Sequence, residues 1–232
     1  MRRWPCVLVA AVLFGGAVAE HPANASVRLA TALAKLRDAE TGRHMLHVAR
    51  YTAIVASALP ELTPAYIEHL ALAAGAHDIG KIGLADVILL KPDALTPGEV
   101  YVVRAHVTSG AAVVEALIKD LDLETWEYVS VLRAVVRHHH EHFDGTGYPD
   151  GLRGKEIPLP ARLVAVADVW DALVTGRPYH PGWTPEDALA HLWQHAGSQF
   201  DQACIQAFTD RFGEIVEAQR TFAARLPSAR GT

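Results

Sequence analysis

The chain has 232 residues, half of them apolar, enough to bury the core of one domain and too few for two large ones. With 26 acidic residues, 21 basic ones and 13 histidines its net charge is -5, so no basic field marks duplex nucleic acid as a partner, and a small anionic ligand has to be held locally by metals or a few Arg and Lys. Cys6 and Cys204 stand far apart and form neither a CxxC pair nor a zinc pattern, so no disulfide framework or thiolate site is implied.

In chain order, residues 1–20 come first and differ from the rest. Arg2 and Arg3 precede an apolar run from Trp4 to Ala19, and Ala17-Val18-Ala19 before Glu20 resembles a secretory signal with a small-residue cleavage site. The run is short for a spanning helix, which needs about 20 apolar residues. The same stub arises from a start codon placed upstream of the true one, or from the remnant of a lost N-terminal module, so export or membrane association through residues 1–20 stands beside that alternative. Residues 21–26 read as a linker, 27–225 as one domain and 226–232 as a polar tail.

The domain reads as all-α. Thr-Pro recurs at 63-64, 96-97 and 184-185, each with Thr suited to the N-cap and Pro to the first helical position, and Thr96 with Glu99 makes a capping box. Apolar spacing predicts helices near 27–38, 42–58, 64–76, 97–105, 110–119, 125–141, 160–174, 185–196 and 202–222, with no alternating stretch long enough for a sheet. Between the sixth and seventh of these, the Gly-rich segment from Phe143 to Pro160, with Pro149 and Pro158, is predicted to be an ordered functional loop.

His77-Asp78, His106, His139-His140 and Asp168 lie at the ends of, or inside, these apolar helices. Burying one unpaired carboxylate costs several kcal/mol, so carboxylates and imidazoles gathered among Ala, Val and Leu call for a compensating cation. Asp168 is the sharpest signal, because the helix around it is apolar on nearly every side. Adjacent residues on a helix point about 100° apart, so His77 and Asp78 can share an ion only if the helix ends there, which Gly80 and Gly83 permit. Glu40 and His44, four apart, share a face if a helix begins near Glu40, although alone they read as an exposed pair. Alone, the run His138-His139-His140-Glu141-His142 reads as a solvated helix end, and not all four histidines can be ligands. Asp171 has a structural account of its own, as the partner of Arg162 or Arg177.

Taken together these pieces resemble the HD-GYP subgroup of the HD phosphohydrolases. The resemblance rests on His77-Asp78-Ile79-Gly80-Lys81, His139-His140-Glu141, Asp144-Gly145, Gly147-Tyr148-Pro149, Gly151-Leu152, Ile157-Pro158-Leu159, Ala161-Arg162, Ala165-Val166-Ala167-Asp168 and Asp171-Ala172-Leu173. Glu40-Thr41-Gly42, His44, Lys91-Pro92, Arg177-Pro178-Tyr179 and Gln199-Phe200-Asp201 flank them, and the match covers roughly residues 38–210. It implies a compact multi-helix HD bundle with the Gly-Tyr-Pro loop between helices, holding two or three divalent ions, iron or manganese. The implied activity is hydrolysis of cyclic di-GMP to linear pGpG, GMP or both, by a hydroxide that bridges the ions.

Carried over residue by residue, the resemblance implies His44, His77, Asp78 and Asp168 as the general metal set, with Asp78 bridging and catalytic. His106, His139 and His140 are the subgroup's additions, and Glu40 is a metal residue that permits a third ion in some members. Lys81 is the second catalytic residue. It faces the substrate with Gly147, Tyr148 and Pro149, while Arg177 and His180 take phosphate or base. Val107 after His106 and Gly75-Ala76 before His77 are smaller or different from the usual residues and predict looser packing beside the cluster; Gln202 departs from a common Pro. Two other readings stand beside the enzyme: a noncatalytic module that binds the nucleotide or a signalling protein such as a diguanylate cyclase, and a phosphohydrolase for another nucleotide. A missing ligand would favour the first and a missing Gly-Tyr-Pro loop the second, and the chain retains both. A cyclic di-GMP substrate places the domain in the cytoplasm, against the membrane-tethered or exported placing that residues 1–20 suggest.

Overall fold

A computed structural model of the protein describes residues 22–176 and 182–224. Helix starts follow side-chain chemistry at the N-caps. Thr63 accepts from Tyr66 N to open α3 (Pro64–Ala74), Thr96 and Glu99 close a reciprocal capping box on α5 (Pro97–Arg104), and Thr184 accepts from Asp187 N on α9 (Pro185–Gln194). Asp38 caps α2 (Ala39–Ala56) by accepting from Glu40 N and Thr41 N, and it separates α2 from α1 (Pro22–Arg37). The remaining helices are α4 (Asp86–Leu89), α6 (His106–Asp120), α7 (Val129–His138), α8 (Leu159–Val174), α10 (Gln202–Asp210) and α11 (Phe212–Ala224), with 3-10 turns at Ile79–Gly83 and Gly154–Glu156. Among the described residues there is no strand, and a single bridge joins Ala196 to Phe200.

Helix α8 is the centre of the bundle. Leu163, Val164, Val166, Ala167 and Trp170 are each 0% exposed, so this helix is enclosed on nearly every side, as its composition predicts. It packs against α2, α7, α9 and α10, while α2 also carries α1, α3 and α11. The 3-10 turn Ile79–Gly83 lies against α6, and α6 against α7. Burying each large apolar side chain stabilises by roughly 1.5–3 kcal/mol. This rigid apolar frame therefore fixes the polar residues that α2, α3, α6, α7 and α8 carry to one place.

The structure differs from the sequence reading in several places, among them the start of the helix read over 110–119, which begins at His106. Residues 22–26, read as linker, are the first turns of α1, because Ala23, Asn24 and Val27 bury against the core. The helix read over 125–141 begins only at Val129 and ends at His138. The helix read over 202–222 is broken at Arg211, whose N–H bonds to Phe208 O while its carbonyl starts a new helix by accepting from Glu214 N and Ile215 N. Apolar spacing spans that break because Phe208 and Ile215 both reach the core. The looser packing read at Val107, Gly75 and Ala76 is not found: Val107 is fully buried, Ala76 nearly so, and a Cβ on Gly75 would touch Ala49 Cβ at 3.6 Å.

Candidate metal centre

Five helices end or pass at the polar cluster. Helix α3 stops at Ala74, and His77 and Asp78 follow in the turn before Ile79–Gly83, so two neighbours in sequence can point at one place. The turn sits tight on α6: a Cβ on Gly80 would lie 1.9 Å from His106 O, so only glycine fits. His106 heads α6, His139 and His140 follow the end of α7, and Asp168 comes from the middle of α8 with His44 facing it from α2.

These side chains form two groups of donor atoms. Asp78, His106, His139 and His140 make one, His44, His77 and Asp168 the other, and within each the donors lie within 4.8 Å of one another. Asp78 borders both, with Oδ1 3.2 Å from His106 Nε2 and Oδ2 3.4 Å from His77 Nε2. His44 Nε2 stands 2.9 Å from Asp168 Oδ1, and Lys81 Nζ donates to Asp78 Oδ2 at 2.5 Å.

The imidazole tautomers show what the cluster is for. His77 Nδ1 donates to Ala74 O at 2.7 Å, His106 Nδ1 to Val103 O at 2.7 Å and His139 Nδ1 to Val135 O at 2.9 Å. Each bond places the proton on Nδ1 and leaves a lone pair on the inward Nε2. His106 Nε2 and His139 Nε2 thus face each other at 3.3 Å, two acceptors with no proton between them. His77 Nε2 and Asp78 Oδ1 are buried and make no hydrogen bond among the described residues. A buried unpaired polar atom costs about 1–3 kcal/mol, and a cation between these atoms removes that cost at several of them together. The nitrogen and oxygen donors, without thiolate, fit a divalent metal ion.

The local electrostatics agree. Burial pushes His140 down to about 4 and, helped by the neighbouring imidazoles, His139 well below the usual histidine range, so both are neutral and able to ligate near pH 7. Burial works against charge on Asp78, yet the Lys81 ammonium beside it holds its carboxyl well below the usual range. Burial alone would lower His44, but hydrogen bonds to Asp168 and Asp171 raise it to about 10.

Of the residues predicted from sequence, the structure brings together His44, His77, Asp78, His106, His139, His140 and Asp168, with Lys81 beside them. Glu40 does not join them. It is exposed in the first turn of α2, one turn short of the cluster, and belongs to neither group among the described residues. Tyr148 stacks on His140 with ring centroids 5.0 Å apart, so the Gly147-Tyr148-Pro149 loop adjoins the centre. His138 and His142 turn away, to Asp150 and Thr146. Arg177 and His180 lie outside the described residues. Asp171 bonds to His44 and His47, not to an arginine, and Arg162 pairs instead with Asp201.

Three further residues were given no role by the sequence reading, although Glu141 stands in its motif. Glu141, 2% exposed, accepts from the backbone of Asp150, Gly151 and Leu152 and so clamps the loop. Arg104 places its guanidinium 4.9 Å from the centroid of the Tyr148 ring. His47 reaches the centre through Asp171; its place on the His44 face of α2, three residues on, was the available signal.

Comparison with known proteins gives a consistent picture. A family model for the HD domain matches residues 28–204. The chain is 42% identical over 185 residues to a Vibrio cholerae protein named cyclic di-GMP phosphodiesterase, covering 77% of this chain and 37% of that one. It is 32% identical over 180 residues to another from the same organism named 3'3'-cGAMP-specific phosphodiesterase 2, covering 78% of this chain and 33% of that one. The chain thus spans less than half the length of these curated relatives. A solved structure described as an HDG"Y"P protein from Bdellovibrio bacteriovorus superposes with a TM-score of 0.54 at 25% identity, over 72% of this chain and 50% of that one.

Proposed function

This chain belongs to the HD domain family, and within it to the HD-GYP subgroup, and on that premise we propose that it is a metal-dependent phosphodiesterase that opens a phosphodiester bond of cyclic di-GMP. The observation that carries the reading is the set of inward Nε2 lone pairs of His77, His106 and His139 around the unpaired Asp78 Oδ1. Asp78, His106, His139 and His140 would hold one ion and His44, His77 and Asp168 a second, Asp78 bordering both groups. Bound divalent ions supply Lewis acidity to phosphoryl oxygens and lower the pKa of a coordinated water.

The chain's own residues supply the rest. Lys81, held at Asp78, brings positive charge to where negative charge develops on phosphorus. Burial keeps the Tyr148 hydroxyl protonated, so that it serves as a donor and its ring as a stacking surface. A cyclic dinucleotide carries two phosphates. With one at the centre, the second needs a cation outside it, and Arg104, over Tyr148, offers a planar fork of donors for it. Such a substrate supports placing the domain in the cytoplasm.

A relative named for 3'3'-cGAMP favours one second reading, a cyclic dinucleotide with a different base. The test incubates the full chain, purified without oxygen and loaded with Fe2+ or Mn2+, with each dinucleotide and separates products by chromatography. Linear pGpG or GMP from cyclic di-GMP, absent with Asp78→Ala, is expected. A metal-loaded wild type that leaves cyclic di-GMP intact overturns the proposal, and turnover of 3'3'-cGAMP alone selects the second reading.

A further inference from the structure

We propose that His47 and Phe222 are positioning residues for His44, acting through Asp171, so that the C-terminal helix α11 sets how tightly the second donor group holds its ion. The inference rests on reading that group as a metal site.

Its starting point is a difference among the histidines. His77, His106 and His139 are oriented by backbone carbonyls one turn earlier in their own segments, at Ala74, Val103 and Val135, so no other side chain decides where they point. His44 is oriented by a side chain: its Nδ1 donates to Asp171 Oδ2 at 2.7 Å. Asp171, 1% exposed on α8, is shared, because His47 Nδ1 donates to the other oxygen, Oδ1, at 2.9 Å. Two imidazoles one turn apart on α2 thus hold both oxygens of one carboxylate.

His47 is itself held from outside. The Phe222 ring on α11 stacks on it with centroids 4.0 Å apart and planes 21° from parallel, and Tyr51 meets Phe222 edge-on at 5.9 Å. Without the His47 donor, Asp171 Oδ1 keeps only the longer bond from the Thr175 hydroxyl, 3.2 Å, and the carboxylate is held less tightly. The plane of His44, which donates to the other oxygen, is then less firmly set. Partners that orient a ligating histidine are typically worth about 10–100-fold in metal affinity.

The experiment titrates the full chain, stripped with a chelator, with Mn2+ by calorimetry, with circular dichroism to confirm folding. His47→Ala is expected to weaken the affected site by about 10-fold or more, His47→Asn, whose amide nitrogen replaces the Nδ1 donor, to recover most of it, and Phe222→Ala to act in the same direction as His47→Ala. His69→Ala is the control, since His69 stacks on Tyr128 at 3.7 Å and lies outside both donor groups; its Mn2+ affinity should match wild type. A folded His47→Ala protein with wild-type affinity overturns the inference, as does an equal loss in His69→Ala. A wild type that binds no Mn2+ overturns instead the metal-site reading beneath it.

Discussion

Gly80→Ala tests whether the tight seat of the Ile79–Gly83 turn on α6 is what assembles the first donor group. The added methyl would stand 1.9 Å from His106 O, 2.5 Å from Gly110 N and 2.9 Å from His106 C. All three are backbone atoms, so no flexible side chain can swing aside, and the turn must move off α6 by about 1 Å or more to restore van der Waals contact. Overpacking of this kind costs about 1–3 kcal/mol, and the upper end applies where only backbone can yield. For a domain of this size that lowers the melting temperature by roughly 6–12 °C. Asp78 and His106 sit on the two sides of the forced gap, 3.2 Å apart at Oδ1 and Nε2. Site geometry tolerates errors of about 0.5 Å, so metal affinity should fall by about 10-fold or more. Gly83→Ala makes the matched comparison, because a Cβ there meets nothing within 4 Å. Thermal melting and Mn2+ titration of the two variants side by side decide the matter. Equal melting temperatures and equal metal affinity would refute the reasoning.

Glu141→Gln leaves one carboxamide oxygen for donors from Asp150, Gly151 and Leu152 and turns an NH2 group toward a backbone N–H. The cost of about 1–3 kcal/mol should appear as faster amide exchange over residues 148–152 with α3 unaffected; unchanged exchange rejects the clamp. Arg104→Met should raise KM for cyclic di-GMP by roughly 10-fold or more, the worth of a charged hydrogen bond, with kcat nearly constant, and a pure kcat effect would place Arg104 elsewhere. Before a cation binds, the folded chain holds the His44 proton up to about 10, against 6.5 unfolded. The stability this contributes is complete below about 6.5 and lost as pH rises through about 10, at up to about 1.4 kcal/mol per pH unit. Chelator-treated protein should therefore melt progressively lower from pH 7 to 9.5 through this group, while metal-loaded protein, whose His44 has given up the proton, should lack this component. Superimposable profiles with and without metal would contradict the pairing.

Six of the seven cluster positions stood out because their chemistry conflicts with their neighbourhood: an Asp in the middle of apolar α8 and His or Asp at the ends of apolar helices are costly to bury unless a cation joins them; His44, which with Glu40 reads alone as an exposed pair, was placed by the family resemblance. The all-α class was legible for a related reason, since Thr63, Thr96 and Thr184 announce helix starts by local hydrogen bonds that need no tertiary context. What distance in the chain decides was not legible. Asp171 lies 127 residues from His44, and nothing local distinguishes a histidine partner from an arginine one. Arg104 meets Tyr148 only because α5 ends beside the loop. The start of α1 looked like a linker because Pro22, Asn24 and Ser26 are poor helix formers, and burial of Ala23 and Val27 overrides that weak preference.

The central claim is that two donor groups converge to hold divalent ions, and metal content tests it most directly. Protein purified without oxygen, with metals counted by mass spectrometry and cyclic di-GMP turnover measured on the same sample, should carry close to two divalent ions per chain, and Asp78→Ala should lose metal and turnover together. A folded wild-type chain that carries no divalent metal and takes up none on titration, or an Asp78→Ala chain that keeps its full complement, would contradict the account.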